Sequence, residues 1–291
     1  MDDLLRLPDG RRAQYWSGGD PDGSVVFFLH GCPDTRHAAY AGEAAARRTG
    51  VRLVAVNRPG YGLSDEAASD HLSVAGDVAA VADLLGVARY GVLGMSLGGP
   101  YALACAVRDP SRVTAVQVVA SPGEVPALVP PYHRDGLSVE QQEFYELLAR
   151  TPVEEAIELM RPEFETYVGK LALDSDDEEV ARRFVAGLDA LDAEVAARQP
   201  VAELAASIRE ALTTSSGYLR DAAIAFRPWL FRPEKINCPT TLWYGEHDTN
   251  ASIRNGEWLA GRIPGAELLR RPGDGHLGSL HNHWDEILRG F

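Results

Sequence analysis

Cysteine is scarce in this 291-residue chain. The three present, Cys32, Cys105 and Cys238, are an odd number at scattered positions, and none lies in a C-x-x-C. That pattern speaks against a disulfide framework and for a reducing compartment. A surplus of positive charge is also missing, since the formal net charge is −14. With no basic excess to neutralise phosphates, general nucleic-acid binding and docking to anionic membranes are both disfavoured. Long apolar runs are absent too: no stretch approaches the roughly 18 residues that a membrane span requires. The opening segment MDDLLRLPDGRRAQYW has neither the basic nor the apolar region of a signal peptide. The expectation is a cytoplasmic protein with no membrane or nucleic-acid partner. The histidines lack the spacing to carboxylates that metal sites use, so neither a metal nor a cofactor is expected.

What is present suits a globular enzyme. Hydrophobic residues make up 45% and charged residues 24%, enough apolar surface for a large core without cross-links. Leu5–Leu7 and Arg12–Trp16 flank the turn signal Pro8-Asp9-Gly10 and predict an antiparallel hairpin. Val25–Leu29, Val51–Val56, Tyr90–Leu93, Val113–Val119, Thr240–Tyr244 and Glu267–Arg270 read as strands, most of them continuous apolar runs buried on both faces. Between them, Ala38–Arg48, Val74–Leu85 with Ser73 as its cap, Gly98–Val107 and Ile253–Ile263 read as helices, and His283–Leu288 closes the chain. Strand–helix–strand alternation with short connections implies a doubly wound, mostly parallel α/β sheet.

The alternation fails between about residues 121 and 237. That stretch is helical in character, with Val139–Arg150, Val153–Met160, Glu178–Ala196 and Val201–Leu212 as segments and several prolines between them. It predicts two units: a core from residues 1–121 and 236–291, and an all-helical cap or lid over residues 122–235.

Gly94-Met95-Ser96-Leu97-Gly98 fits G-x-S-x-G, led in by a buried strand and out by a small-residue helix. A nucleophile elbow needs that context, because a strained strand-to-helix turn lifts the serine hydroxyl to the C-terminal edge of the sheet. His30-Gly31-Cys32-Pro33 follows the first buried strand, where an oxyanion hole draws one backbone N–H. The candidate donors are the amides of Cys32 and Leu97, with His30 as a hydrogen-bonder in the loop. Asp248, at the end of Gly245-Glu246-His247-Asp248, is the candidate acid, with Glu246 as runner-up. His276, in the glycine-rich loop Gly273–Gly278, is the candidate base. The order Ser96, Asp248, His276, each after a strand, is the specific signal.

These residues resemble the α/β-hydrolase superfamily. The likeness runs from His30-Gly31-Cys32-Pro33 through Asn57-Arg58-Pro59-Gly60-Tyr61-Gly62-Leu63-Ser64 to the Ser96 elbow, and resumes at Gly245–Asp248 and Gly275-His276. It implies an eight-stranded, mostly parallel sheet and serine-type acyl transfer without a cofactor. Asn57 stands where these proteins usually carry Asp, at a structural position. Ser96 and Cys32 both argue against a haloalkane dehalogenase, and Ser96 against an epoxide hydrolase. The expected function is a hydrolase forming an acyl-enzyme on a carboxylic ester, thioester or activated carbon–carbon bond of a small apolar or aromatic substrate. The pocket is expected to draw on His30, Cys32, Met95, Tyr132, Tyr145, Tyr218, Trp229 and Leu277, with further lid aromatics such as Phe144, Tyr167 and Phe226. Non-hydrolytic enzymes of the same fold (lyases, cofactor-free oxygenases, cyclases) and small-molecule receptors remain alternatives. Either a monomer or a homodimer fits.

Overall fold

The computed structural model describes residues 2–291. Eight strands form one sheet: β1 Asp2–Arg6, β2 Arg12–Gly19, β3 Ser24–Leu29, β4 Val51–Val56, β5 Tyr90–Met95, β6 Val113–Val119, β7 Thr240–Gly245 and β8 Glu267–Arg271. Their spatial order is β1-β2-β4-β3-β5-β6-β7-β8. The pairs β1–β2 and β2–β4 are antiparallel and all others parallel, as the α/β reading expects.

Central strands bury both faces, which explains their continuous apolar runs. Val26 and Phe28 of β3, with Leu53 and Ala55 of β4, pack into one apolar cluster. Phe27 and Leu29, with Val54 and Val56, pack into another on the opposite face. Helices cover both. These are α1 Glu43–Thr49, α2 His71–Leu84 and α3 Gly98–Arg108. Two predicted starts shift. The Ala38–Arg48 segment begins as a 3-10 turn, Arg36–Gly42, capped by Thr35. Asp70 caps α2, and Ser73 instead supplies the reciprocal bond of a capping box.

Between β6 and β7 the chain forms six helices: α4 Val139–Arg150, α5 Val153–Leu171, α6 Asp177–Val185, α7 Ala190–Ala196, α8 Val201–Leu212 and α9 Ser216–Ala225. All of them except α7 share an apolar cluster of their own. Helix α5 outruns its predicted end at Met160 and passes through Pro162. The proline forfeits one helical bond, but Phe164 and Leu171 continue the buried face begun by Ala156 and Met160, and that burial offsets the loss. The predicted segment 178–196 is split, because Asp189 caps a new helix after Gly187. Helix α9 was not foreseen. After β7 come α10 Ile253–Arg262, α11 Gly278–His281 and α12 Trp284–Leu288. Among the described residues no helix is long and apolar enough to cross a membrane.

One feature of the order positions a site. Strand β3 lies between β4 and β5, so the chain reverses its direction of travel across the sheet there. The loops leaving the C-terminal ends of β3 and β5 diverge, and a crevice opens between them.

Candidate active site

The crevice is built from β5 outward. Every residue of β5 is buried, and Ser96 follows in the left-handed region with φ 52°. Its amide donates to the Val119 carbonyl at 2.9 Å, tying the turn to β6. A Cβ on Gly94 would fall on the Gly98 carbonyl, and a Cβ on Gly98 would fall on the Leu29 carbonyl. The two glycines of the motif are therefore steric requirements of the elbow. Leu97 precedes α3, so its amide sits at the positive end of an eleven-residue helix.

Cys32 sits in the facing loop, and both Cys32 and Leu97 line the cavity that holds Ser96. Neither amide donates to a protein acceptor among the described residues. Gly31 keeps the approach close: a Cβ there would stand 3.3 Å from that of Ser96. The Cys32 thiol accepts a bond from the Tyr61 hydroxyl at 3.3 Å. Burial, aided by the charge of Asp221, pushes that thiol up to about 12, so it stays protonated and is not a thiolate nucleophile.

His276 and Asp248 meet in a hydrogen bond. His276 Nδ1 lies 2.8 Å from Asp248 Oδ2. With the carboxylate as acceptor, Nδ1 carries the proton and Nε2 is left to accept. The other oxygen, Oδ1, accepts from the amides of Asn250 and Ala251 at 2.7 and 2.8 Å. Glu246, the alternative acid, is exposed, and so is His247. The two loops are laced together, the Glu246 and His247 amides donating to the Arg271 and Asp274 carbonyls. Asp274 itself bonds Asn282 and His283, which fastens the histidine loop to the last helices. Burial alone would lower the His276 pKa, but the Asp248 charge and hydrogen bond outweigh it and the net direction is upward. Ser96 and His276 line the same cavity without a hydrogen bond between their side chains among the described residues. Such bonds are often long until substrate is held.

That cavity measures about 650 Å³. Of the expected pocket residues, Cys32, Met95, Tyr145, Tyr218 and Leu277 line it, with Phe144, Tyr167 and Phe226. Three expected residues do not. His30 is fully buried below the loop, donating from Nδ1 to the Gly31 carbonyl and accepting the Arg58 amide at Nε2. Tyr132 turns its hydroxyl to Glu146 on α4. Trp229 stacks on Phe231, ring centroids 4.8 Å apart, in the core beside the sheet. Their aromatic identity gave no hint of direction, because core and pocket both want aromatic surface.

Several wall residues escaped the sequence reading. Met160 closes the predicted part of α5, and Phe164 comes from the unforeseen continuation of that helix. His133 is partly buried; desolvation first, then the Arg134 charge, brings it down to about 4, so it stands neutral. Asp192 of α7 accepts the Leu277 amide at 2.8 Å and steadies the residue after His276. Asp34 accepts at Oδ1 from the Thr35 amide and the Ser207 hydroxyl. No local motif marks these, since each is brought in by tertiary packing.

Asp34 supports a stability prediction. Burial pushes its carboxyl up to about 6, from an ordinary 3.8, against the bonds it accepts. A raised acid pKa means that ionisation costs the folded state, a penalty present above pH 6 and gone below about 4. Asp34→Asn is therefore expected to be more stable than wild type at pH 8, by on the order of 1–2 kcal/mol, with the difference falling to within about 0.5 kcal/mol at pH 4. Denaturant melts at the two pH values check this.

Among the described residues no group of three or more His, Cys, Asp or Glu side chains is placed to hold a metal ion.

No curated protein sequence matches the chain. Solved structures of similar shape include an alpha/beta hydrolase fold protein from Nakamurella multipartita, 23% identical with TM-score 0.68, covering 100% of this chain and 99% of that one. An esterase from Exiguobacterium antarcticum is 19% identical with TM-score 0.66, covering 99% and 97%. The enol-lactonase from Burkholderia xenovorans LB400 is 20% identical with TM-score 0.66, covering 98% and 96%. At such identities the likeness is one of fold. A family model described as the alpha/beta hydrolase fold matches residues 24–282. The strand order, the matched span and these neighbours agree, and the chain belongs to the alpha/beta hydrolase fold family.

Proposed function

We propose that this protein is a serine hydrolase acting through an acyl-enzyme on a carboxylic ester, thioester or activated carbon–carbon bond of a small apolar or aromatic substrate. The observation that carries the reading is the meeting of Ser96 and His276, the latter held by Asp248, in one cavity with two undonated amides. In this reading Ser96 Oγ attacks the substrate carbonyl as His276 Nε2 takes its proton. The Cys32 and Leu97 amides hold the oxyanion, each worth about 10²–10³ in rate. The protonated His276 then delivers its proton to the leaving group. Water, deprotonated by the same ring, releases the acyl group and returns Ser96. Asp248 keeps the proton on Nδ1 and stabilises the imidazolium.

Residues 122–235 serve as the lid. Their aromatic rings, such as the Tyr145–Phe226 pair at 4.4 Å and the Phe164–Tyr218 pair at 5.0 Å, give the cavity apolar walls and keep bulk water from the acyl-enzyme. The neighbours named esterase and enol-lactonase are consistent with this class of bond, although their low identity leaves the substrate to the lid.

The test is intact-mass analysis after exposure to a fluorophosphonate. One adduct on wild type, lost on His276→Ala, supports an activated serine. A folded wild-type protein that stays unlabelled would overturn the proposal. A panel of p-nitrophenyl esters, acyl thioesters and vinylogous carbon–carbon substrates then sorts the bond type.

A further inference from the structure

The oxyanion-binding amide of Cys32 belongs to the same peptide unit as the Gly31 carbonyl. A trans peptide is planar, and its N–H and C=O point in opposite directions. Whatever grips the Gly31 oxygen therefore aims the Cys32 N–H. The grip is Arg58: its Nη2 donates to the Gly31 carbonyl at 2.8 Å and its Nη1 to the His30 carbonyl. His30 Nδ1 adds a second donor to the Gly31 oxygen at 2.9 Å. Arg58 is 2% exposed, and so buried a guanidinium requires a counter-charge. Asp221, 4% exposed, supplies it: Oδ2 accepts from Arg58 Nε and Nη2 at 3.0 and 2.5 Å and from the Tyr61 hydroxyl at 2.8 Å. Its other oxygen accepts from the Tyr101 hydroxyl at 2.6 Å. Arg58, Tyr61 and Tyr101 all come from the chain before β6, yet Asp221 itself comes from α9, between β6 and β7. Helix α9 also lays the Tyr218 carbonyl over the Cys32 sulfur at 3.9 Å.

We propose that Arg58 and Asp221 are positioning residues for the oxyanion hole, so that docking of α9 orients the peptide that binds the transition state. The inference rests on the serine-hydrolase reading of Ser96. The competing explanation is a plain staple between helices and sheet, and the molecule contains a control for it. Glu210 of α8 pins the same helical segment to the core through Arg36, His37 and Asn57 and touches neither Gly31 nor Cys32.

Hydrolysis of p-nitrophenyl butyrate and the rate of fluorophosphonate labelling are measured for wild type, Asp221→Asn, Arg58→Lys and Glu210→Gln. Arg58→Lys keeps the charge beside Asp221 and loses the forked donation to the two carbonyls, so it provides a reading even if Asp221→Asn fails to fold. For both Arg58→Lys and a folded Asp221→Asn, kcat and the labelling rate are expected to fall together by about 30- to 100-fold, up to the lower end of the loss from removing one oxyanion donor, because the amide is misaimed and not removed, with KM within about threefold. Glu210→Gln is expected to lower Tm while leaving kcat within about threefold. Equal kcat in Arg58→Lys and wild type, or equal losses of kcat in all three variants, would overturn the positioning role and leave the hydrolase reading standing. Failure of the wild type to label at Ser96 would overturn that reading and this inference with it.

Discussion

Ser96→Ala is expected to lower kcat on any turned-over ester by at least about 10⁴-fold while the fold stays intact. The size follows from the chemistry, since without Oγ no acyl-enzyme forms and only binding and oxyanion stabilisation remain. The intact fold follows from the local structure. Ser96 occupies a left-handed backbone position at φ 52°, and alanine carries the same Cβ, so the strain of the turn is unchanged. The hydroxyl is only half-buried and holds no structural hydrogen bond among the described residues. The stability change should stay within about 0.5 kcal/mol. Initial rates with p-nitrophenyl esters, beside a thermal melt, check both halves. Wild-type turnover in the variant would remove Ser96 from the mechanism.

Asp248→Asn should lower kcat by roughly 10³–10⁴-fold, with Glu246→Gln within about twofold of wild type. The Asp248 side chain is fully enclosed, and its Oδ1 is committed to the amides of Asn250 and Ala251. In the variant the amide oxygen keeps those two bonds and the NH₂ group is left facing His276 Nδ1. That nitrogen must then accept, the ring proton moves to Nε2, and the lone pair that would take the serine proton is gone. Glu246 points to solvent and offers no rescue. The pH profile gives an independent sign. The base works only when neutral, so kcat/KM rises with pH through the His276 pKa. In wild type the Asp248 charge outweighs burial and places that limb above the ordinary 6.5. Without the charge burial dominates, and the residual activity of Asp248→Asn should show its limb at lower pH.

The core was legible because its signals are local. Strands buried on both faces need largely apolar runs, and β3 through β7 carry them with few polar breaks, such as Arg52 and Gln117. The elbow needs glycine at 94 and 98 because backbone occupies the space a Cβ would take, and this is a constraint that a short motif can record. The pairing of Asp248, not Glu246, with His276 was legible only as a preference, because the two carboxylates stand two residues apart on one loop. Solvent exposure separated them.

The helices between β6 and β7 were less legible. Proline at 162 reads as a stop, yet α5 continues because its buried face recurs beyond the break. Trp229 and Tyr132 have the composition of a pocket wall and belong elsewhere, since aromatic surface is equally at home in a core.

The sequence by itself determined the alternation of strand and helix, the elbow at Ser96 and the order in which serine, carboxylate and histidine follow their strands. Each of these is written in neighbouring residues whose backbone or burial requirements are met within a few positions. Only the tertiary structure decided which walls close the 650 Å³ cavity and that Asp34 and Asp192 stand against it. It alone brought Asp221 to Arg58, 163 positions away in the sequence. The physical reason is that a buried charge selects its partner by proximity in the folded core, and that proximity leaves no periodicity or spacing along the chain.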